Sequence, residues 1–171
     1  GKKFIKEKRA SIRSLTIKRL SEFFALYSTM MPMEQHGKRL FKALETSIKK
    51  LPKTVISMEA KTSAPALLSL LETLSSSVPL LDIFEDQNAM PTIIACINPQ
   101  TSPQSLDVAL KIVSNALAMK PELVKQHLTE IVEAMSELVG ETTRKNGALE
   151  TKQLTILCDI CELLGDSVEG V

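Results

Sequence analysis

Cys158 and Cys161 have the C-x-x-C spacing of half a zinc or redox motif. A zinc site needs two more ligands close by, and a redox dithiol needs one cysteine at a helix N-terminus, where its thiolate is stabilised. Here both thiols fall inside an apolar helical pattern with Ile156, Leu157, Ile160 and Leu163. The only histidines, His36 and His127, each stand alone in their segments. Both cysteines are therefore expected in the core, where a free thiol behaves as a small apolar residue. His36 and His127 are expected on the surface or at a rim. Glu130, Glu133 and Glu137 share one helix face, but an acid–base pair needs a cleft that raises one carboxyl, so a solvated face is the expectation. No phosphate-cradling glycine loop and no nucleophile elbow occurs. The residues point to a protein that is not an enzyme, with no cofactor, no metal and no small-molecule substrate.

The basic residues are the stronger signal. Formal net charge is only +1, yet residues 1–53 hold fourteen Lys or Arg against four Glu, a local balance of +10 that leaves −9 on the remainder. Such polarity sets up a field along the molecule that favours phosphate or acidic surfaces at one end. From about Glu34, Lys38, Lys42 and Lys49 fall on one side of a helix, with Arg39 and Lys50 beside them, away from Leu40, Leu44, Ile48 and Leu51. With Lys53, and with Lys2, Lys3, Lys6, Lys8 and Arg9 near the start, these are the candidate phosphate or RNA contacts. No aromatic is interleaved to stack bases, so the contact would be insensitive to sequence. Arg13 and Arg19 lie within or beside an apolar stripe and are read as structural ion pairs.

The elements that must hold these residues are helices. Of 171 residues, 44% are apolar and 24% charged, enough to bury a sizeable core. Six Gly, eight Pro and no Trp disfavour an all-β chain. An odd count of three cysteines is no disulfide framework and implies a reducing compartment. The start, Gly1 without Met, has no stretch bounded like a signal peptide and reads as an internal piece of a longer chain. The longest uncharged run, Gln87 to Leu106, contains Pro91, Pro99 and Pro103 and would not span a membrane.

Residues 12–27 predict a helix packed on more than one side through Ile12, Leu15, Ile17, Leu20, Phe23, Phe24, Leu26 and Tyr27, closed by Pro32. A second helix follows to Leu51, where Pro52 stops it. Ser63 looks like an N-cap for a helix through Leu74, which Val78-Pro79 breaks. Residues 80–97 read as the least regular part. Ser102-Pro103 caps a central helix through Leu117, Pro121 opens another that ends with Gly140 as C-cap, and a last helix runs from Leu149 to Gly165. The segment 141–147 reads as a polar loop.

Pairing these helices gives units of about 12–51, 63–97, 102–139 and 149–164 within one domain over 12–165. A basic arm free to move occupies 1–11, and a tail 166–171. Repeats of roughly 40 to 50 residues indicate an all-α fold, an α-solenoid of HEAT/armadillo-like antiparallel helix pairs.

IRSLTIKRLSEFF from Ile12, SAPALLSLLETL from Ser63 and MPTIIACINPQTSPQSLDVALKIVSNAL from Met90 resemble the DRIM family, the large HEAT-repeat component of the small-subunit processome. The likeness covers residues 12–117. It implies a non-catalytic scaffold in small-subunit ribosomal RNA processing and ribosome assembly, located in the nucleolus and nucleus. Its partners would be other processome proteins and precursor ribosomal RNA, with no membrane. The alternative is a purely protein-binding HEAT/armadillo module in transport or signalling.

Overall fold

A computed structural model describes residues 2–27, 33–56, 64–144 and 151–169. Every regular element among them is a helix: α1 (Lys2–Tyr27), α2 (Met33–Lys49), α3 (Leu51–Thr54), α4 (Ala64–Leu74), α5 (Val78–Asp86), α6 (Met90–Ala95), α7 (Pro103–Met119), α8 (Pro121–Lys125), α9 (Leu128–Arg144) and α10 (Thr151–Glu169). The all-α class expected from composition is what the chain adopts.

Proline is the main punctuation, and it opens helices more than it closes them. Pro52, Pro79, Pro91, Pro103 and Pro121 each sit in the first turn of α3, α5, α6, α7 and α8. There the missing N–H costs nothing and the fixed φ suits the helix. The expected break at Val78-Pro79 is thus the start of α5. Ser102 does stand before α7, but its hydroxyl bonds Ser105 Oγ at 3.0 Å and caps no backbone N–H. Asn88, after α5, adopts a positive φ of 49°, and the Ala89 N–H donates to Phe84 O at 2.9 Å, closing the helix with a left-handed turn that asparagine tolerates.

Four boundaries differ from the sequence reading. The segment expected as an arm is, from Lys2 onward, the first turns of α1. The single helix expected after Pro121 is broken at Gln126-His127 into α8 and α9. Gly140 lies inside α9 and Gly165 inside α10, so neither ends a helix, and α10 continues to Glu169 through what was expected as a tail. A Cβ at either glycine would meet nothing within 4 Å, so tertiary packing makes no demand on them. Pro32, the Ser63 cap and residues 145–147 of the expected loop lie outside the described residues.

Packing follows a regular order. α1 lies on α4, α4 on α7, and α7 on α10. Alongside, α2 lies on α5, α3 on α6, and α6 on α9, while α6 and α8 also touch α7. One contiguous apolar core runs from Ile17 through to Ile160. Its centre is the part that read as least regular: Leu80, Leu81, Ile83 and Phe84 of α5 and Met90, Ile93 and Ile94 of α6 are all buried. Phe84 meets Phe41 of α2 edge to face, with ring centroids 5.1 Å apart. Gly37 permits that approach, because a Cβ there would come within 2.8 Å of Ile83 Cδ1 and 3.3 Å of Leu80 Cδ2.

Candidate nucleic-acid interface

α1 carries the five N-terminal candidates, and Lys2, Lys3, Lys6, Lys8 and Arg9 are all exposed. They are held in register by a continuous helix of 26 residues. Among the described residues α1 is not buried on several sides as its apolar spacing suggested: Ile12 and Leu15 are each 56% exposed, Ile5 and Phe23 are exposed, and Leu20 is half-buried, while Phe24, Leu26 and Tyr27 lie outside the described side chains. Ile17 is the one core residue of α1 among those described.

On α2, Lys38, Arg39, Lys42 and Lys49 are exposed, as are Lys50 and Lys53 just beyond. They stand away from Phe41, Ile48 and Leu51, which are buried. The ridge is therefore real in position, but parts of it are already neutralised. Lys49 Nζ lies 2.6 Å from Glu45 Oε1, which together with the nearby Lys42 charge holds the Glu45 carboxyl below its ordinary value, chiefly through the Lys49 hydrogen bond. Lys38 Nζ stands 4.0 Å from Asp86 Oδ2 of α5. Such exposed pairs add little stability, but they lower the positive charge available to a ligand.

Two concavities are lined by cations. A cleft of about 420 Å³ between α1, the α2–α3 corner and α4 is lined by Arg13, Lys50, Thr46 and Ser47 over a floor that includes Ile17 and Leu67. A second, of about 470 Å³ along α1, is lined by Lys2, Ile5, Lys6, Arg9 and Arg13. No Asp or Glu lines either one among the described residues. Arg19 does pair as expected, with Glu22 Oε2 at 2.9 Å. Arg13 has no ion-pair partner among the described residues, so the expectation of a structural pair there fails.

The remaining candidates are scattered. Cys158 and Cys161 are exposed, contrary to expectation, because α10 rests on α7 through Leu157 and Ile160 and turns Leu154 and the two thiols outward. Cys96 is buried; its Sγ donates to Thr92 O at 3.3 Å, and burial pushes its thiol up to about 12. His36 is exposed and His127 half-buried, with Nδ1 3.9 Å from Glu130. Glu130, Glu133 and Glu137 are exposed. Among the described residues no three His, Cys, Asp or Glu side chains converge on a metal position. No described helix is long and apolar enough to cross a membrane.

Sequence reading missed one polar cluster. Lys120, buried between α7 and α8, donates from Nζ to Asp82 Oδ1 at 2.5 Å and to Glu85 Oε2, while Gln126 Nε2 reaches Glu85 Oε1 at 3.1 Å. Hydrogen bonds to Asp82 and Glu85 raise the Lys120 ammonium above its ordinary value. Those from Lys120 and Gln126 lower Glu85. The cluster ties the α7–α8 corner to α5. Its partners lie 35 to 41 residues apart, so no local spacing could have announced it.

No curated protein matches the chain, and no solved structure does. Residues 2–170 match the family described as U3 small nucleolar RNA-associated protein 20, N-terminal, which extends the likeness read over 12–117 in both directions. The helical chain with one strongly basic end belongs to that family.

Proposed function

We propose that this chain is a non-catalytic helical-repeat scaffold in small-subunit ribosomal RNA processing and ribosome assembly, working in the nucleolus. Its surfaces hold processome proteins and precursor ribosomal RNA. The observation that carries this reading is the packing order, in which α1, α4, α7 and α10 contact one another in succession while α2 contacts α5, α3 contacts α6 and α6 contacts α9. That order is what an α-solenoid of HEAT/armadillo-like pairs produces, since each pair completes its core only against its neighbours. Membership of a family associated with U3 small nucleolar RNA supplies the process.

Mechanism here is shape and charge. Lys2, Lys3, Lys6, Lys8, Arg9, Lys38, Arg39, Lys42, Lys49, Lys50 and Lys53 form the basic end that faces phosphate. The acidic remainder, including the exposed Glu130, Glu133 and Glu137, faces basic protein segments. Capture of the tagged protein from nuclear extract, with and without nuclease, tests the reading. Precursor ribosomal RNA and processome proteins are expected in the untreated sample. Recovery of the same partners in full after nuclease would favour the purely protein-binding alternative, and absence of processome proteins from both samples would overturn the scaffold role.

A further inference from the structure

We propose that the outward side of α1 takes α10 of a second copy of this chain, so that copies associate end to end, head to tail. The inference goes beyond the scaffold reading above and requires no RNA.

α1, α4, α7 and α10 contact one another in succession, which makes α1 and α10 the two terminal helices of that succession. α1 packs on α4 and buries Ile17. At about 100° per residue, Ile17 falls about 140° from Ile12 and about 160° from Leu15 around the helix. Ile12 and Leu15 thus lie on the side turned away from the core contact, and with Ile5 they are more than half exposed. Ile5, Lys8, Ile12, Leu15 and Arg19 follow one another at steps of 3, 4, 3 and 4, and all five are exposed. That is the spacing of a seam along which one helix packs on another.

α10 offers the counterpart. It rests on α7 and buries Leu157 and Ile160, while Leu154, Cys158, Cys161 and Gly165 are exposed at steps of 4, 3 and 4. A free thiol behaves as a small apolar residue, and a Cβ at Gly165 would meet nothing within 4 Å, so a second helix can approach closely there. The two seams match in length, about 21 Å from Ile5 to Arg19 and about 16 Å from Leu154 to Gly165.

Charge selects the pairing. Residues 2–27 hold eight Lys or Arg against two Glu, a balance of +6, whereas residues 151–169 hold one Lys against four acids, a balance of −3. Lys8 and Lys18 are exposed on and beside the α1 seam, and Asp159 and Glu162 are exposed beside the α10 seam. Two copies of α1 would repel each other, as would two copies of α10. α1 against α10 brings opposite charges around an apolar strip, which fixes the partner and the head-to-tail sense. One helix laid on another over about 16 Å buries less than the roughly 1,200 Å² of a stable interface, so the contact is weak and depends on concentration.

The test is sedimentation of the intact, nuclease-treated chain over a wide range of protein concentration. Mean mass is expected to rise with concentration and to pass beyond the dimer, because a head-to-tail contact leaves an open end on each assembly. Raising the salt should reverse it. Lys8→Glu with Lys18→Glu, and separately Asp159→Lys with Glu162→Lys, are each expected to weaken association about tenfold. An equimolar mixture of the two variants is expected to return within about twofold of the parent chain, since each altered end then meets an end of opposite charge. Mixing would not rescue a variant that had merely lost its fold. In an Ile12→Cys variant, a short bismaleimide should join position 12 to Cys158 or Cys161 of another copy.

A chain that stays monomeric at every concentration would overturn the proposal. So would growth that stops at a dimer in which Cys158 and Cys161 are linked only to each other across copies, since that contact is tail to tail. A mixture no better associated than either variant would remove the charge pairing and the proposal with it. Monomers that bind anionic phospholipid vesicles through Lys8 and Ile12 would also overturn it, giving this side of α1 to a lipid surface instead.

Discussion

α1 and α7 both lie on α4 and are both rich in apolar residues, yet they fare differently. α7 lies between α4 and α10, touches α6 and α8, and buries Leu106, Ala109, Leu110, Ile112, Val113, Ala116 and Leu117. α1 lies on α4 and leaves Ile5, Ile12, Leu15 and Phe23 in solvent. Apolar content therefore marks which residues could be covered, while the number of neighbouring helices sets which ones are. Because Ile17 is the one core residue of α1 among those described, α1 has exposed surface to offer a partner. α7 has almost none.

The strongest way to break this comparison is truncation in each helix. Leu110→Ala, at a fully buried position, is expected to cost about 3–5 kcal/mol in denaturant unfolding, from lost transfer energy and the cavity left behind. Leu15→Ala on α1 is expected to stay within about 0.5 kcal/mol. Similar losses at both would mean that the outward face of α1 is packed in solution.

Ion pairs sharpen the contrast at a smaller scale. Lys120→Met, at the end of α7, is expected to cost about 1 kcal/mol, moderated because Asp82 and Glu85 remain solvated. Arg19→Gln, which removes an exposed pair on α1, is expected to change unfolding by less than that. The sign with pH is fixed by the shifts. Glu85 is held below its ordinary 4.5, so its contribution is present above that value and is lost as pH falls through its folded value. Lys120 is held above its ordinary 10.5, so its contribution is full below that value and is lost as pH rises through its folded value. Unfolding midpoints measured across the acid range should therefore decline less steeply in Lys120→Met than in the parent chain. An unchanged decline would remove the cluster from the account of stability.

The smallest stability effect is expected on α10, which rests on α7 by one side. Cys158→Ser and Cys161→Ser should each alter stability by less than about 0.5 kcal/mol, since both thiols face solvent. Thiol labelling of the native protein gives the sharper readout. Cys158 and Cys161 should react readily. Cys96, buried and with its thiol pushed up to about 12, should react only on unfolding. Native labelling of Cys96 would contradict its burial.

Much of the fold was legible because helix spacing and proline chemistry act locally. Leu67, Leu70, Leu71 and Leu74, or Leu106, Leu110, Val113 and Leu117, mark a buried face whatever lies opposite. Gly140 and Gly165 misled because glycine permits a helix end without forcing one. On α2, exposure of Lys38, Arg39, Lys42 and Lys49 followed from their place away from the apolar stripe, whereas Lys2, Lys3, Lys6, Lys8 and Arg9, expected on an arm, are exposed on a helix. Arg13 was misassigned because adjacency to an apolar stripe is the same in sequence whether an acid or an open cleft lies across from it.

Residue order alone established an all-helical chain, the position of its main apolar faces, and a charge polarity with the cations at one end. Those are properties of a helix and its own side chains, set within a few turns. Which faces are covered, which lysines meet a carboxylate outside their own helix and which arginine is left beside a cleft depended on other elements, as the tie from Lys120 to Glu85, 35 residues away, illustrates. Contact between distant segments is a property of the packed whole, and burial and charge pairing arise there.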